Sequence, residues 1–184
     1  MNNLLKNTFR FILFLLVQII ILNEVPPIHQ FITPYIYFLF LLWLPFGTSR
    51  ISTTFLGFVF GYSLDLFTKT PGLHAAACGL MGYLRPTVLN LLLSQEASEE
   101  VTKEPSIATM GWGPYAFYAF ALTFIHHFYL VLLEWLQFGN FGYFIGKVFF
   151  TSIISLLLIF SVELIMNRRM EDQNKVNIKE AGNE

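Results

Sequence analysis

Residues 51–68 read ISTTFLGFVFGYSLDLFT, and residues 70–86 read TPGLHAAACGLMGYLRP. Two apolar runs of helical length are joined here by a Thr-Pro-Gly turn, which interrupts a helix. In the first run Gly57, Gly61 and Asp65 are spaced four apart, so they lie on one face of a helix. Small residues let helices approach closely in lipid, where no hydrophobic force drives helices together. The stretch therefore predicts a helical hairpin with a small-residue contact face.

The second run repeats the small-residue pattern at spacings of three or four. Ala75, Gly79 and Gly82 share one side of the helix and lead to the pair Arg85-Pro86. The two runs together give a set of expected helix-packing or partner-contact positions. These are Gly57, Gly61, Asp65, Pro71, Gly72, Gly79, Gly82 and Arg85.

The composition is that of a membrane protein. The chain has 184 residues, of which 55% are hydrophobic and only 12% charged, so water is not its main solvent. A net charge of −1 provides no field that attracts nucleic acid. The single cysteine, Cys78, cannot form a disulfide within one chain. Nucleic-acid binding and a disulfide framework are therefore excluded, and an all-α membrane protein is expected.

Six segments approach the length of about 20 helical residues that a bilayer core requires. The N-terminal segment has no small-x-small cleavage site after it, so it is expected to be a retained anchor rather than a signal peptide. The segment bracketed by Pro34 and Pro45 is the shortest. The predicted spans cover residues 9–23, 32–46, 51–68, 73–93, 114–137 and 143–166.

The basic residues predict the orientation of these spans. With six spans and the N-terminus inside, only Lys69 and Lys147 fall outside, whereas eight Lys and Arg residues fall on the cytoplasmic side. Both termini are therefore expected in the cytoplasm, with residues 23–33 and 138–142 outside. The eight cytoplasmic basic residues are Lys6, Arg10, Arg50, Lys103, Arg168, Arg169, Lys175 and Lys179.

The chain is expected to form one transmembrane domain, residues 1–168, interrupted by one sizeable loop. The loop, residues 94–113, carries four Glu against one Lys, so it is predicted to be cytoplasmic and solvated. It is either a flexible linker or a docking segment for a partner. The tail, residues 169–184, alternates charges without an apolar face and is predicted to be disordered.

Two charged residues within the spans have alternative interpretations. Asp65 either faces the protein interior, as intramembrane carboxylates usually do, or lies at the headgroup level near the outer end of its helix. Arg85 is the deepest basic residue and is expected to reach backbone carbonyls or to snorkel toward the cytoplasm, with Pro86 freeing a carbonyl nearby. The depths of Asp65 and Arg85 differ by more than two helical turns, so the two are not expected to pair.

The fifth span carries His126, His127 and Glu134. A proton relay or a metal site could use such residues, but adjacent histidines project in different directions and no second cluster is evident. Glu134 and Lys147 have matching depths across a short turn, and a structural ion pair is the simplest explanation. No nucleophile elbow, phosphate loop or zinc motif is present, so no enzyme and no cofactor are predicted.

Residues 57–67 (GFVFGYSLDLF), 70–75 (TPGLHA) and 79–85 together resemble the rod shape-determining protein MreD family. Members have a Gly-rich helix ending in an Asp-Leu-Phe-like element, a turn with Gly, and a small-residue helix with a basic end. The similarity in hydropathy layout extends over residues 5–168. The loop at 94–113 is longer than the family pattern.

The resemblance implies a non-enzymatic scaffold of the cell-wall elongation machinery in the bacterial inner membrane. Its implied partners are an MreC-like periplasmic scaffold, a RodA-like glycosyltransferase with its partner transpeptidase, and MreB-like filaments. The family fold is similar to the substrate-binding components of energy-coupling-factor vitamin transporters. A small-molecule binding or transport component is therefore the alternative function. Such a site needs convergent polar groups near the outer end of the bundle, where Asp65, His74 and Glu134 are the candidates.

Overall fold

The computed structural model describes residues 3–24, 32–93, 103–138 and 140–181. Within these ranges the regular structure is entirely helical. Helix α1 continues as a π-helix, Val17–Leu22. The α-helices are α1 (Asn3–Leu16), α2 (Leu39–Leu42), α3 (Arg50–Thr68), α4 (Leu73–Leu92), α5 (Ile107–Met110), α6 (Trp112–Phe138) and α7 (Phe141–Ala181).

Four of the described helices are long and apolar enough to cross a membrane, which confirms the prediction of an all-helical membrane protein. They are Leu5–Leu22, Arg50–Thr68, Trp112–Leu136 and Phe141–Met166. Helix α4 is equally long, with 20 residues, but it is less apolar because it carries His74, Arg85 and several small residues. Helix α4 packs against α3 and α6.

The second predicted span, residues 32–46, is not a membrane-spanning helix. Only Leu39–Leu42 is α-helical, and the rest of the segment consists of turns and irregular backbone. Proline at 34 and at 45 limits regular structure, since proline lacks an N–H donor and restricts the residue before it. Residues 35–44, the core segment hereafter, are each at most 7% exposed and are enclosed by the longer helices.

The bundle has two ends. The hairpin end holds the α3–α4 turn and the start of α7 at Phe141. The strap end holds the starts of α1 and α3 and the strap, which we define as residues 103–111. The core segment enters beside Ser155 of α7 and leaves beside Glu163 of the same helix. These two residues are eight apart, so the core segment advances about 12 Å along the bundle.

The described part of the loop at 94–113 is not a flexible linker. The strap contains a short helix, α5, whose N-cap Ser106 and Thr109 form a capping box, and Ile107 is buried. The backbone N–H of Phe46 donates to the carbonyl of Lys103 at 2.9 Å. Residues 94–102, which hold most of the glutamates of the loop, lie outside the described residues.

Helix α7 continues well beyond its predicted end at Met166. It extends to Ala181, so residues 169–181, predicted to be a disordered tail, are helical in the structure. The sequence contains no proline or glycine between Gly146 and Gly182, so nothing in the backbone chemistry interrupts the helix there.

The predicted hairpin contact forms between α3 and α4. A Cβ atom added to Gly61 would lie 2.5 Å from the carbonyl carbon of His74 and 2.7 Å from Cα of Ala75. One added to Gly57 would lie 3.0 Å from the carbonyl carbon of Cys78. At these two positions the backbones touch, and a side chain would force the helices apart.

Gly79, one of the predicted set, does not take part in this close contact. A Cβ atom at Gly79 would meet only Cβ of Phe58, at 3.9 Å, which is an ordinary van der Waals distance. Gly79 lies on the side of α4 that borders a groove between α3 and α6. The small residues of α4 therefore lie on two different surfaces, one in contact with α3 and one bordering the groove.

Gly61→Leu should prevent folding of the hairpin, because the new side chain would occupy space already filled by backbone. We expect a loss of about 3 kcal/mol or more, observed as a strong drop in folded protein recovered from membranes. Gly113→Leu is the matched control, since a Cβ at Gly113 meets nothing within 4 Å. Equal recovery of both variants would show that the α3–α4 contact is not close.

Candidate functional site: the polar interior of the bundle

Asp65 caps helix α4 from the end of α3. Its carboxylate is 2% exposed and accepts from the backbone N–H groups of Gly72 (3.1 Å), His74 (2.9 Å) and Ala75 (3.0 Å), and from Thr70 Oγ1 (3.1 Å). The first N–H groups of a helix have no partner within the helix, and a negative charge is favourable beside them. Of the two positions considered for Asp65, the structure has the one that faces the protein interior.

The turn between α3 and α4 places this carboxylate. Gly72 adopts φ +86°, a left-handed conformation that a residue with a side chain rarely adopts. Pro71 is exposed in the turn. The backbone therefore reverses within a few residues, and the first N–H groups of α4 point back at the end of α3.

Pro86, Gly82 and Thr53 form a second link between α3 and α4. Proline has no N–H, so the carbonyl four residues earlier, that of Gly82, has no donor within α4. Thr53 Oγ1 of α3 donates to this carbonyl at 2.8 Å. The link requires glycine, because a Cβ at position 82 would lie 2.8 Å from the carbonyl carbon of Thr53.

Arg85 binds the strap end of the core segment. Its guanidinium is fully buried, donates through Nε to the hydroxyl of Tyr118 at 2.9 Å, and donates through a terminal nitrogen to the carbonyl of Leu44. Tyr118 in turn donates to the carbonyl of Leu42 at 2.9 Å. Arg85 reaches a backbone carbonyl, that of Leu44, which is one of the two outcomes predicted for it.

Two side chains hold the other end of the core segment. Gln18, in the π-helix, accepts from the N–H of Ile36 at 3.1 Å and donates to the carbonyl of Pro34 at 3.2 Å. Ser155 Oγ accepts from the N–H of Tyr35 at 3.3 Å. The irregular backbone is therefore hydrogen-bonded by polar side chains from α4, α6, α7 and the π-helix.

A buried cluster of aromatic and polar rings lies beside the core segment. The Tyr37 hydroxyl shares hydrogen bonds with Nδ1 of His74 (2.9 Å) and Nε2 of His126 (2.7 Å). Cys78 Sγ lies 3.8 Å from the same nitrogen of His126. No group of three or more His, Cys, Asp or Glu side chains that could hold a metal ion occurs in the part of the chain that the structure describes.

His127 faces different partners from those of its neighbour His126. Nδ1 of His127 donates to the carbonyl of Thr123 at 2.8 Å, which leaves Nε2 of a neutral ring as an acceptor. Nε2 lies 3.1 Å from Ser155 Oγ, so the serine hydroxyl donates to it. His127 thereby orients the serine whose oxygen accepts from the core segment.

Glu163 is a second buried carboxylate, which the sequence reasoning missed. It is 3% exposed and accepts from Trp43 Nε1 (3.2 Å), the hydroxyl of Tyr115 (3.0 Å) and the N–H of Ile107 (2.9 Å). The three donors belong to the core segment, α6 and the strap. Glu163 therefore joins three parts of the chain at the strap end.

The strap is also held to helix α1 by charge. Glu104 lies 3.0 Å from Lys6 and 2.8 Å from Arg10, both near the start of α1. The guanidinium of Arg10 lies over the ring of Trp43, 4.9 Å from its centroid. These contacts close the strap end over the core segment.

The predicted ion pair between Glu134 and Lys147 is present at the hairpin end, with Nζ and Oε2 2.5 Å apart. The pair lines a cavity of about 1180 Å³ between the α3–α4 turn and the ends of α6 and α7. Lys69 also lines this cavity, whereas Asp65 and His74 do not.

The missed residues share one signal. Gln18 and Glu163 lie within apolar runs, LLVQIII and FSVELIM, where a polar side chain is costly unless it has partners. The rule that identified Asp65 applies equally to them. Thr53 and Ser155 give no such signal, because hydroxyls are common in membrane helices.

In the part of the chain that the structure describes, the fold is all-helical, with four helices long and apolar enough to cross a membrane and an irregular segment enclosed at its centre. Comparison with known protein families, with curated proteins and with solved structures finds no match for this chain.

Asp65→Leu should leave the N-terminal N–H groups of α4 without an acceptor. The expected cost is on the order of 1–3 kcal/mol, measured as lower abundance and a lower melting temperature of the purified protein. Asp65→Asn should be milder, because the amide keeps one acceptor oxygen. Near-wild-type values for both variants would contradict the capping role.

Proposed function

We propose that this chain is a non-enzymatic scaffold subunit of the bacterial cell-wall elongation machinery, of the MreD kind, in the cytoplasmic membrane. One observation carries the proposal. The residues that resemble this family, 57–86, are those that build the α3–α4 hairpin, and Gly57, Gly61 and Asp65 have specific structural roles there. The residues that carry the family resemblance are thus also residues that the α3–α4 hairpin requires. This agreement supports the resemblance better than a shared hydropathy profile does.

The interior supports a binding role over catalysis. The carboxylates of Asp65 and Glu163 accept from several donors of the chain itself, and Arg85 donates to Tyr118 and to one carbonyl of the core segment. Groups used in this way hold backbone in place and are not free to transfer protons to a substrate. Activity then depends on the outer surfaces and on partners.

We propose six crossings of the membrane, five by the long helices and one by residues 32–46. The strap end would be cytoplasmic, together with both termini, as the positive-inside rule favours. The same six-crossing order supports the likeness to the substrate-binding components of energy-coupling-factor transporters. In this arrangement Lys69 and Lys147 lie at the outer end.

The alternative, a vitamin-like binding or transport component, is favoured by the cavity at the hairpin end. Two of its three candidate residues count against it. The carboxylate of Asp65 accepts from N–H groups at the N-terminus of α4, and Nδ1 of His74 is hydrogen-bonded to the Tyr37 hydroxyl. Only Glu134 lines the cavity, so the scaffold remains the preferred function.

Cysteine labelling tests the orientation. Pro71→Cys at the hairpin end should react with an impermeant reagent added outside intact cells, whereas Ala108→Cys in the strap should react only after the membrane is opened. Both positions are exposed, and the native Cys78 is buried, so it provides little background. The reverse pattern would refute the proposed topology.

Affinity capture tests the function. A tagged chain extracted from bacterial membranes in mild detergent should retain an MreC-like bitopic protein at a fixed ratio, with a RodA-like glycosyltransferase and its transpeptidase at lower yield. MreB-like filaments should cosediment through this complex. A tagged unrelated multi-pass protein serves as the control. Retention of a transport ATPase instead, without cell-wall proteins, would support the alternative function.

A further inference from the structure

The hairpin end holds a polar chamber that the proposed scaffold role does not use. The chamber is the cavity of about 1180 Å³ described above. Its charged lining groups are the ammonium groups of Lys69 and Lys147 and the carboxylate of Glu134. Because Lys147 pairs with Glu134, one positive charge remains, that of Lys69. Lys69 is exposed and has no partner among the described residues.

An apolar groove begins where the chamber ends. A second cavity, of about 680 Å³, shares Ala76 and Tyr129 with the chamber and continues along α3 and α4 past Phe58 and Gly79. Its walls include four aromatic rings, and its floor on α4 includes the small residues Ala75, Ala76 and Gly79. The floor stays open because Gly79 has no side chain and the nearest atom is 3.9 Å from where its Cβ would be.

The groove has a defined depth. The residues of α4 that line the groove run from Ala75 to Tyr83, a rise of eight residues or about 12 Å, and those of α3 run from Arg50 to Phe58, also about 12 Å. At the lower end the guanidinium of Arg50 lies over the ring of Tyr83, 4.9 Å from its centroid. A bilayer core is about 30 Å thick, so the groove alone covers less than half of it, whereas chamber and groove together follow α3 from Lys69 to Arg50 for about 28 Å.

We propose that the chamber and groove form a binding site for an anionic membrane lipid, with its phosphate near Lys69 and one hydrocarbon chain in the groove. Charge favours this occupant, because the chamber has a net positive charge and a phosphate is negative. The joined polar and apolar parts match a molecule with a charged head and an apolar chain.

The test uses the purified full chain in detergent and measures retained lipid by native mass spectrometry. Phosphatidylglycerol and phosphatidylcholine with the same acyl chains are added separately. We expect roughly fivefold tighter binding of phosphatidylglycerol, the factor that about one basic contact provides. Lys69→Gln should remove the preference. Lys69 is exposed, so this variant tests the head contact without disturbing the fold.

Gly79→Leu tests the groove, because its side chain would fill the space assigned to the hydrocarbon chain. It should lower the retention of both lipids severalfold, whereas Gly113→Leu, whose added side chain also meets open space, should retain both as wild type does. Melting temperature reports whether Gly79→Leu is folded, and Gly79→Ala offers a smaller obstruction if it is not.

Four outcomes would overturn the proposal. Equal retention of the two lipids would show that the site does not prefer an anionic head group. Unchanged retention by folded Gly79→Leu or Gly79→Ala would show that the groove does not hold the hydrocarbon chain. Displacement of lipid by free glycerol 3-phosphate at similar concentration would show a soluble anion site. Crosslinks from a cysteine at position 79 to a protein helix, with no lipid retained, would assign the groove to a partner.

Discussion

The rest of the structure depends on one constraint, which is that the irregular backbone of residues 35–44 lies in an apolar interior where water cannot satisfy it. Each unsatisfied N–H or C=O there costs several kcal/mol, roughly. Regular helices satisfy these groups internally, but the core segment is helical only at Leu39–Leu42. Turn hydrogen bonds within the segment pair several of the remaining groups. Neighbouring side chains must supply partners for the others, and this requirement explains why polar residues occur in otherwise apolar helices.

The location of each partner follows from this constraint. Gln18 and Ser155 serve the segment near its start, and Arg85 with Tyr118 serves its end. Each lies on a different element, so removing the segment would leave four elements with buried polar groups and no partners. The core segment and the helices around it therefore stabilise one another, and neither is expected to form without the other.

The sequence predicted the hairpin well because its determinants are local. Small residues at fixed spacing and a turn with Pro and Gly act within about 30 residues, and the resulting contact at Gly57 and Gly61 is as expected. The segment at 32–46 was predicted to be a helix because hydropathy measures burial and does not distinguish a buried helix from buried irregular chain. A buried irregular segment differs from a buried helix in that its backbone groups need donors and acceptors from distant parts of the chain. The spacing of residues in the sequence does not show which distant groups pair.

The two buried carboxylates show where this limit lies. Asp65 and the groups that donate to it are separated by at most ten residues, so its capping role could be proposed from the turn beside it. Glu163 accepts from groups 48, 56 and 120 residues away. An apolar run containing a glutamate indicates that partners exist, but only the fold identifies them. Glu163 accepts hydrogen bonds from the strap, the core segment and α6. The position of the strap and the packing of the core segment therefore depend on the same carboxylate. A change in the strap would therefore be transmitted to the centre of the bundle.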